Sequence, residues 1–345
     1  MRYALLAAVL LASTPGARAQ SKATLRGLDV YRSAALTADE ARRRFDERLR
    51  RVVTLRNEIR PAALQEAEAL RREMEREAAG LPGVAFAELI LTEHYTSVDR
   101  AFYAVFDIVD RADASRLAFA PAPKEVLKDP GGVLAAWRSY VDRGEALSRR
   151  GEMPPERPAC PGFYCLWGGT PELDAAQGAF VAAAAGRSEE LKRVVRADAD
   201  AEARSAALFV LSYSTSGAEV VGLCREALTD PDARVRGAAL QILADASVHP
   251  ELPIALDRVL PRLDDPSAAV RGKTMGLLVP LAGREAYRRV MLPAAPRLAA
   301  LLRLSQPESR DLAFTLLGIL SKKNYDRQDF SAWDAWAAKA AAGKP

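Results

Sequence analysis

Three regularly spaced aspartates are the first candidates for chemistry in this sequence. Asp107, Asp110 and Asp113 are three residues apart, with Arg111 and Arg116 beside them. This spacing would place the carboxylates along one face of a helix, and hard cations bind clustered oxygen ligands. However, no glycine-containing calcium loop of the Asp-x-Asp-x-Asp-Gly type surrounds them. We therefore favour a solvated acidic stripe, paired with its arginines, over a metal or catalytic site.

The histidines and cysteines also point to structure more than to catalysis. His94 and His249 are far apart in the sequence, so a histidine-based site would need long-range convergence that no motif suggests. Cys160 and Cys165 flank a Pro-Gly turn, which in an exported protein predicts a small disulfide-closed loop. Their Cys-x4-Cys spacing is not that of a redox motif, and no further zinc ligands lie near. Cys224 lies on an apolar helix face and is expected to be buried. We expect no catalytic residue, no cofactor and no metal.

The first nineteen residues have the pattern of a secretory signal peptide. Arg2 precedes a short apolar run, and a small-residue Ala-x-Ala site ends at Ala19. No later segment has about 18 uninterrupted apolar residues, so we expect no membrane insertion. The sequence thus predicts a periplasmic or secreted protein, cleaved near Ala19.

The charge balance excludes some classes of partner. The formal net charge is +4, and loss of Arg2 and Arg18 with the signal peptide leaves +2. This value is too small to indicate nucleic acid or an anionic membrane as the partner, and export argues separately against nucleic acid.

One motif recurs through the second half of the chain in the form Arg-x-x-small-x-x-aliphatic-Leu. Each copy follows a turn, and two of these turns contain Asp-Pro, at Asp230 and Asp265. A first apolar helix precedes each turn and a second follows it, for example Ile254 to Leu263 and then Val270 to Val279 in the third copy. Neither helix could bury its apolar stripe alone, so the copies must stack. The motif begins at Arg204, Arg236, Arg271 and Arg310.

This pattern resembles the HEAT-repeat family, in particular the short bacterial repeats of the PBS-lyase type, over residues 187–320. The resemblance implies stacked antiparallel helix pairs whose second helices line a concave, protein-binding face. It also implies that Arg204, Arg236, Arg271 and Arg310 bridge neighbouring repeats through turn aspartates such as Asp198, Asp230 and Asp265. The lyase activity attached by name to some proteins with such repeats is not carried over, because repeats are shared scaffolding.

The region before the repeats is expected to be helical. Thr37 and Glu40 form a capping box that opens a helical hairpin ending near Gly80. The aromatic segment 86–119 could be a buried helix or two short strands, and we favour the helix, because it would be a degenerate relative of the repeats. The predicted divisions are a signal peptide at 1–19, a helical region at 20–158, a cysteine loop and lead-in helix at 159–186, HEAT-like repeats at 187–320, and a capping helix and tail at 321–345.

The C-terminal tail carries three large aromatic residues, Phe330, Trp333 and Trp336. A solenoid must cover the open face of its last unit, so we interpret them as a cap. Contact with a partner, or self-association through the tryptophans, is the alternative.

Together these features predict an all-α, HEAT-like solenoid with a helical N-terminal region. The function they favour is an exported, non-enzymatic module that binds or scaffolds another protein in the bacterial cell envelope. The alternative is an enzyme or enzyme subunit with its site in residues 84–170. An open cleft containing two or more of Asp107, Asp110, Asp113 and His94 would favour that alternative.

Overall fold

A computed structural model describes residues 22–95, 100–154 and 159–343 of the chain. The predicted signal peptide, residues 1–19, lies outside these ranges, as do residues 155–158 at the predicted boundary before the cysteine loop. The described chain has an N-terminal α/β unit followed by a stack of helices.

The N-terminal unit consists of three strands and two helices. In chain order these are β1 (Thr24–Tyr31), α1 (Ala38–Glu58), α2 (Pro61–Ala79), β2 (Val84–Tyr95) and β3 (Arg100–Asp110). The strands form one sheet in the order β1-β3-β2, with β1 parallel and β2 antiparallel to β3. The predicted helical hairpin is confirmed, including the capping box of Thr37 and Glu40 at the start of α1.

The prediction of an all-α protein is wrong, because residues 100–110 form a strand and not the favoured helix. β3 is the central strand, and both of its faces are covered. Phe106 packs against Phe45 of α1 with ring centroids 4.7 Å apart, whereas Val105 belongs to the core shared with the repeats. Because both faces are buried, the sequence of the strand is one apolar run. It lacks the alternation of apolar and polar residues that identifies a half-exposed strand.

The second half of the chain is a stack of helix pairs. Second helices α6, α8, α9 and α12 pack on one another in sequence, and α3 and α4 pack against α6 at the start of the stack. The C-terminal helix α13 packs against α11 at the far end. The helices are α3 (Val133–Arg149), α4 (Pro171–Gly186), α5 (Ser188–Ala197), α6 (Ala201–Leu211), α7 (Gly217–Ala227), α8 (Ala233–Ala246), α9 (Ala268–Ala282), α10 (Glu285–Met291), α11 (Ala295–Leu301), α12 (Pro307–Ser321) and α13 (Phe330–Ala341).

The third repeat departs from the predicted plan. Instead of a first helix over 254–263, it has turns followed by a short 3-10 helix, Leu260–Asp264. Pro261 lies within the predicted helix and has no N–H to donate, and its ring disfavours helical geometry in the residue before it. The apolar residues of this segment, such as Ile254 and Leu263, are nevertheless buried, so the stack keeps its core.

Buried arginine–aspartate pairs join the successive turns. Arg204 donates from Nε and Nη2 to both carboxylate oxygens of Asp230, at 2.8 and 2.7 Å. Arg236 makes the same two bonds to Asp265, also at 2.8 and 2.7 Å. Each arginine also donates from Nη1 to a carbonyl oxygen of its own turn, so each side chain ties one repeat to the next.

The next arginine, Arg271, pairs with the N-terminal sheet. Aspartate stands six residues before each of the first three motif arginines, but Leu304 stands six residues before Arg310. The missing carboxylate comes from Asp107 of β3, whose Oδ1 lies 2.5 Å from Nη2 of Arg271. Both side chains are fully buried. Asp107 also accepts the N–H of Ala268 at the start of α9, at 3.0 Å.

A second strand aspartate bonds the following turn of the stack. Asp29 of β1 accepts from the N–H and the hydroxyl of Ser305 and from the N–H of Gln306, at 2.8, 2.7 and 3.1 Å. In the preceding repeat, Asp265 accepts the N–H of Ser267, which occupies the position equivalent to Gln306. Thus Asp29 and Asp107, on neighbouring strands, together take the place of one turn aspartate.

The segment after β3 continues along the same edge of the stack. The ring of Phe119 lies 3.9 Å from the guanidinium carbon of Arg236, and the N–H of Ala120 donates to Thr229. Further on, Glu125 bonds the backbone on both sides of Asp198, and the carboxylate of Asp198 accepts the N–H of Leu127. Residues 111–130, hereafter the strap, therefore run from the later repeat turns to the earlier ones, opposite to the order of the turns in the sequence.

Because Arg271 is fully buried, we expect Asp107→Asn to lower the free energy of unfolding by about 3–5 kcal/mol, the usual cost of leaving a buried charge unpaired. The matched control is Asp113→Asn, which weakens partly exposed contacts with Arg32 and Arg116 and should cost under about 1 kcal/mol. Denaturant unfolding of both variants measures the difference. Equal losses would contradict a dependence of the fold on the Arg271 pair.

Candidate functional site

The three aspartates singled out by their spacing do not share an open cleft. Asp107 is buried against Arg271, and Asp110 accepts from the hydroxyl of Ser33 and the N–H of Ala34, at 2.6 and 2.7 Å. Asp113 faces arginines at the partly exposed surface. Within the described ranges no group of three or more His, Cys, Asp or Glu residues is arranged to hold a metal ion. Each of these carboxylates is engaged in a separate structural contact, and the contact of Asp107 is fully buried.

The two histidines lie in different parts of the molecule. His94 is on β2, where its ring meets the edge of Tyr103 with centroids 6.3 Å apart. His249 follows α8 and contacts Phe163 and Glu251. Neither lies beside the aspartates considered above.

Cys160 and Cys165 form a disulfide, as the sequence predicts, while Cys224 is buried. Burial raises the pKa of the Cys224 thiol, which disfavours the reactive thiolate. The disulfide loop docks on the end of α6, where the N–H of Phe163 donates to the carbonyl of Ser212 at 2.8 Å. Gly162 fits there because a Cβ at this position would lie 2.8 Å from the same carbonyl oxygen.

The remaining predicted site residues lie at turns and at the C-terminal end. Arg204 and Arg236 bond turn aspartates and Arg271 bonds the sheet, whereas Arg310 contacts Asp311 and the carbonyl of Ser305 within its own repeat. At the C-terminal end Trp333 is 1% exposed and contacts rings of Phe314 and Tyr325. Trp336 packs edge-on against Trp333, and Phe330 lies beneath the guanidinium of Arg303.

An aromatic cleft opens between α3, the disulfide loop and α6. It has a volume of about 460 Å³. The rings of Trp137 and Phe209 stack with centroids 5.0 Å apart, and Tyr164 lies at the same distance on Phe209. Phe209 is half-buried, while the other two rings are buried. We call this space the aromatic cleft; its lining also includes Val141, Leu166, Ser205, Ala206 and Gln241, with Arg138, Asp142 and Glu202.

A short hydrogen-bond chain extends from the aromatic cleft across the second helices. Gln241 of α8 donates to the hydroxyl of Tyr164 at 2.8 Å. Its carbonyl oxygen accepts from Nζ of Lys273 on α9 at 2.9 Å. The stem of Lys273 passes over Gly237, where an added Cβ would lie 3.6 Å from Cδ. Lys273 is thereby held across α8, pointing towards the aromatic cleft.

Lys273 also lines a second opening, the strand cleft, of about 370 Å³. Ile90 and Thr92 of β2 contribute one wall, and residues of α9 and α12 contribute the other. Protein atoms around Lys273 displace water and lower its pKa, although the side chain keeps an exposed face. Within the described ranges Lys273 forms no ion pair with a carboxylate, and its Nζ bonds the neutral oxygen of Gln241.

Sequence reasoning did not identify the aromatic cleft. Trp137 and Tyr164 lie within residues 84–170, the region of the alternative enzyme site, but Phe209, Gln241 and Lys273 lie within the repeats themselves. The available signal was that Phe209 is a large aromatic among the alanines and leucines of α6. Convergence with Tyr164 depends on the docking of the disulfide loop, which periodicity does not reveal.

Glu88 of β2 lies directly opposite Asp107 on β3, at the interface with the stack. Burial, and to a lesser extent the neighbouring carboxylates of Asp107 and Glu75, together raise the pKa of Glu88 to about 7, although Arg271 and Arg71 oppose the shift. Ionisation of Glu88 therefore adds a second negative charge to an interface that already contains one.

Comparison with known proteins gives one match. Residues 188–277 match the family model for HEAT repeats, consistent with the repeat pattern. No curated protein and no solved structure matches the chain significantly. No helix in the described part of the chain is long and apolar enough to cross a membrane.

We expect Glu88→Gln to make the stability of the protein less sensitive to pH. The folded pKa of about 7 lies above the ordinary 4.5. The folded state therefore favours the protonated side chain, whose contribution to stability is fully present below pH 4.5 and is lost as the pH rises through 7. After allowance for solvent screening, the variant should match the wild type near pH 4.5 and exceed it by about 1–2 kcal/mol at pH 8. Thermal unfolding across this range is the measurement, with Glu47→Gln, at an exposed position of α1, as the control. A constant difference at all pH values would contradict the assignment.

Opening the disulfide loop should lower stability modestly and loosen the aromatic cleft. For so short a loop, we expect Cys160→Ser combined with Cys165→Ser to cost about 2 kcal/mol. Denaturant unfolding without reductant measures the loss, and tyrosine and tryptophan fluorescence reports on the cleft. Reductant should produce the same loss in the wild type and no change in the double variant; a double variant as stable as the wild type would refute a stabilising role.

Proposed function

From the HEAT repeats of residues 188–277, a type of repeat that typically mediates protein interactions, we propose that this protein is an exported, non-enzymatic binding or scaffolding module of the bacterial cell envelope. It holds another protein on the exposed face of α6, α8, α9 and α12, which we call the second-helix surface. The observation that carries this proposal is the open aromatic cleft on that surface, continued by Gln241 and Lys273.

The distribution of contacts supports this choice of surface. The N-terminal sheet and the strap already occupy the turn edge of the stack, where they bond Arg271, Ser305 and Asp198. On the second helices, by contrast, Gly276 has open space around its Cβ position, and Phe209 keeps an exposed part of its ring. Apolar and polar groups there remain accessible to a partner.

Two features support export. The first nineteen residues have the order of charge, apolar run and small residues that signal peptides share. A disulfide between Cys160 and Cys165 is stable in an oxidising compartment and rare in a reducing cytosol. The periplasm or the extracellular space is therefore the proposed location.

The alternative of an enzyme with its site in residues 84–170 has less support. Its candidate carboxylates are engaged in separate structural contacts, and His94 and His249 lie apart from them. The aromatic cleft includes Tyr164 and Ser205, but neither histidine lines it. The lining therefore offers no histidine base for a nucleophilic hydroxyl, and its carboxylate Glu202 is paired with Arg138.

Site-specific photocrosslinking tests the proposed surface in cells. A benzoylphenylalanine placed at Gly276, on the second-helix surface, should crosslink one defined envelope protein, because an exposed site beside the partner lies within reach of it. The matched control is the same group at Ala300, an exposed position on first helix α11. Identification by mass spectrometry, together with fractionation of the periplasm, completes the test. Equal crosslinking at both positions, no crosslink at Gly276, or a cytoplasmic protein would refute the proposal.

A further inference from the structure

The aromatic cleft offers a site for one large apolar side chain. Trp137, Phe209 and Tyr164 form a continuous slab of rings, stacked between Trp137 and Phe209 and tilted between Phe209 and Tyr164, and only Phe209 keeps substantial exposure. An incoming ring would extend this slab in an offset or edge-to-face arrangement. A volume of about 460 Å³ is within the range of sites that enclose a small ligand, so it accommodates an aromatic side chain with its adjoining backbone.

Lys273 offers a site for a carboxylate. Its Nζ is held by the neutral oxygen of Gln241, and the packing of its stem over Gly237 fixes it across α8. By comparison, Lys192 in the first repeat is already bonded to Glu189 and Glu219. An anion at Lys273 would regain the electrostatic stabilisation that the ammonium loses by partial removal of water.

The charges around the aromatic cleft determine which of the two sites accepts the carboxylate. Glu202 pairs with Arg138 at 3.5 Å, and Asp142 adds a further negative charge to the lining. A ligand carboxylate is therefore disfavoured inside the aromatic cleft and favoured at Lys273. Gln241 lines the aromatic cleft and bonds both Tyr164 and Nζ of Lys273, so the two sites are neighbours; an apolar and an acidic side chain about three residues apart on an extended segment, at about 3.3 Å per residue, can reach both.

We propose that the aromatic cleft and Lys273 form one recognition site for an extended protein segment that carries a large apolar side chain and, about three residues away, an acidic side chain. The apolar side chain enters the aromatic cleft, and the carboxylate pairs with Nζ of Lys273. This inference rests on the proposed function, because it specifies what the second-helix surface recognises.

Labelled synthetic peptides test this specificity against the whole protein. The probes are glycine–serine peptides containing Phe-Ser-Gly-Glu or the reversed order Glu-Gly-Ser-Phe, since either chain direction satisfies the proposal. Fluorescence anisotropy should detect binding of at least one order. In that peptide, replacement of Phe by Ala, or of Glu by Gln, should weaken binding at least about tenfold.

Charge reversal gives the sharpest arm of the experiment. Lys273→Glu should abolish binding of the Glu peptide and create binding of the same peptide with Lys in place of Glu. Lys339→Glu makes the same charge change at an exposed position of α13 and should alter neither affinity. Ser205→Trp should fill the aromatic cleft and weaken both peptides, whereas Ser331→Trp, at an exposed position of α13, should not. Thermal unfolding of each variant verifies that it is folded.

Three results would overturn the proposal: no binding of any peptide up to about 1 mM, binding indifferent to both Lys273→Glu and Ser205→Trp, or no rescue by the reversed charge pair. Equal binding of N-acetyltryptophanamide alone would also overturn it and would indicate a small-molecule site. If the Gly276 crosslink succeeds while the peptides fail, the proposed function stands and this inference falls; if the crosslink fails too, both fall.

Discussion

The fold depends on a carboxylate that the repeat array does not supply for itself. Arg204 and Arg236 each find an aspartate in the following turn, whereas Arg271 would face Leu304. An arginine cannot lose its charge inside a protein, so burial without an acceptor would be prohibitive. Asp107 meets this need from β3, and the N-terminal sheet thereby becomes an integral part of the repeat stack.

The same constraint explains the shape of the sheet. Asp107 faces the stack while its neighbour Phe106 faces α1, so β3 must be covered on both sides. Parallel pairing with β1 brings Asp29 to the adjacent turn, where one strand alone could not satisfy both Arg271 and the N–H groups of Ser305 and Gln306. The contact between the α/β unit and the helical array is therefore stabilised by satisfied hydrogen bonds as much as by apolar burial.

Much of this architecture could be predicted from the sequence because its signals are local. The Arg and Asp-Pro pattern located the repeats, the Thr37 capping box located α1, and the spacing of Cys160 and Cys165 located the disulfide loop. The sheet could not be predicted in the same way, since double-sided burial removed the alternation from β3. Leu304 visibly replaces the aspartate found at this position in the earlier turns, but the sequence does not indicate which distant residue supplies the missing carboxylate.

The proposed binding surface could not be predicted, for a related reason. Trp137 and Tyr164 precede the repeats in the chain, and the cleft exists only where the disulfide loop meets Phe209 of α6. Gln241 and Lys273 occupy ordinary surface positions of repeat helices, and their importance comes from the chain of bonds that joins them to Tyr164. Such long-range juxtapositions follow from the fold and not from any single stretch of sequence.

The contacts between the N-terminal strands and the late repeats have a consequence for the order of folding. Repeat arrays usually fold through contacts between sequence neighbours, and structure can propagate from any unit to the next. Here Asp29 and Asp107 leave the ribosome first, but their partners Arg271, Ser305 and Gln306 are synthesised long afterwards. Completion of the native structure must therefore await the late repeats, and the long sequence separation of these contacts predicts slow, cooperative folding of a kind more typical of β-rich domains than of helical solenoids.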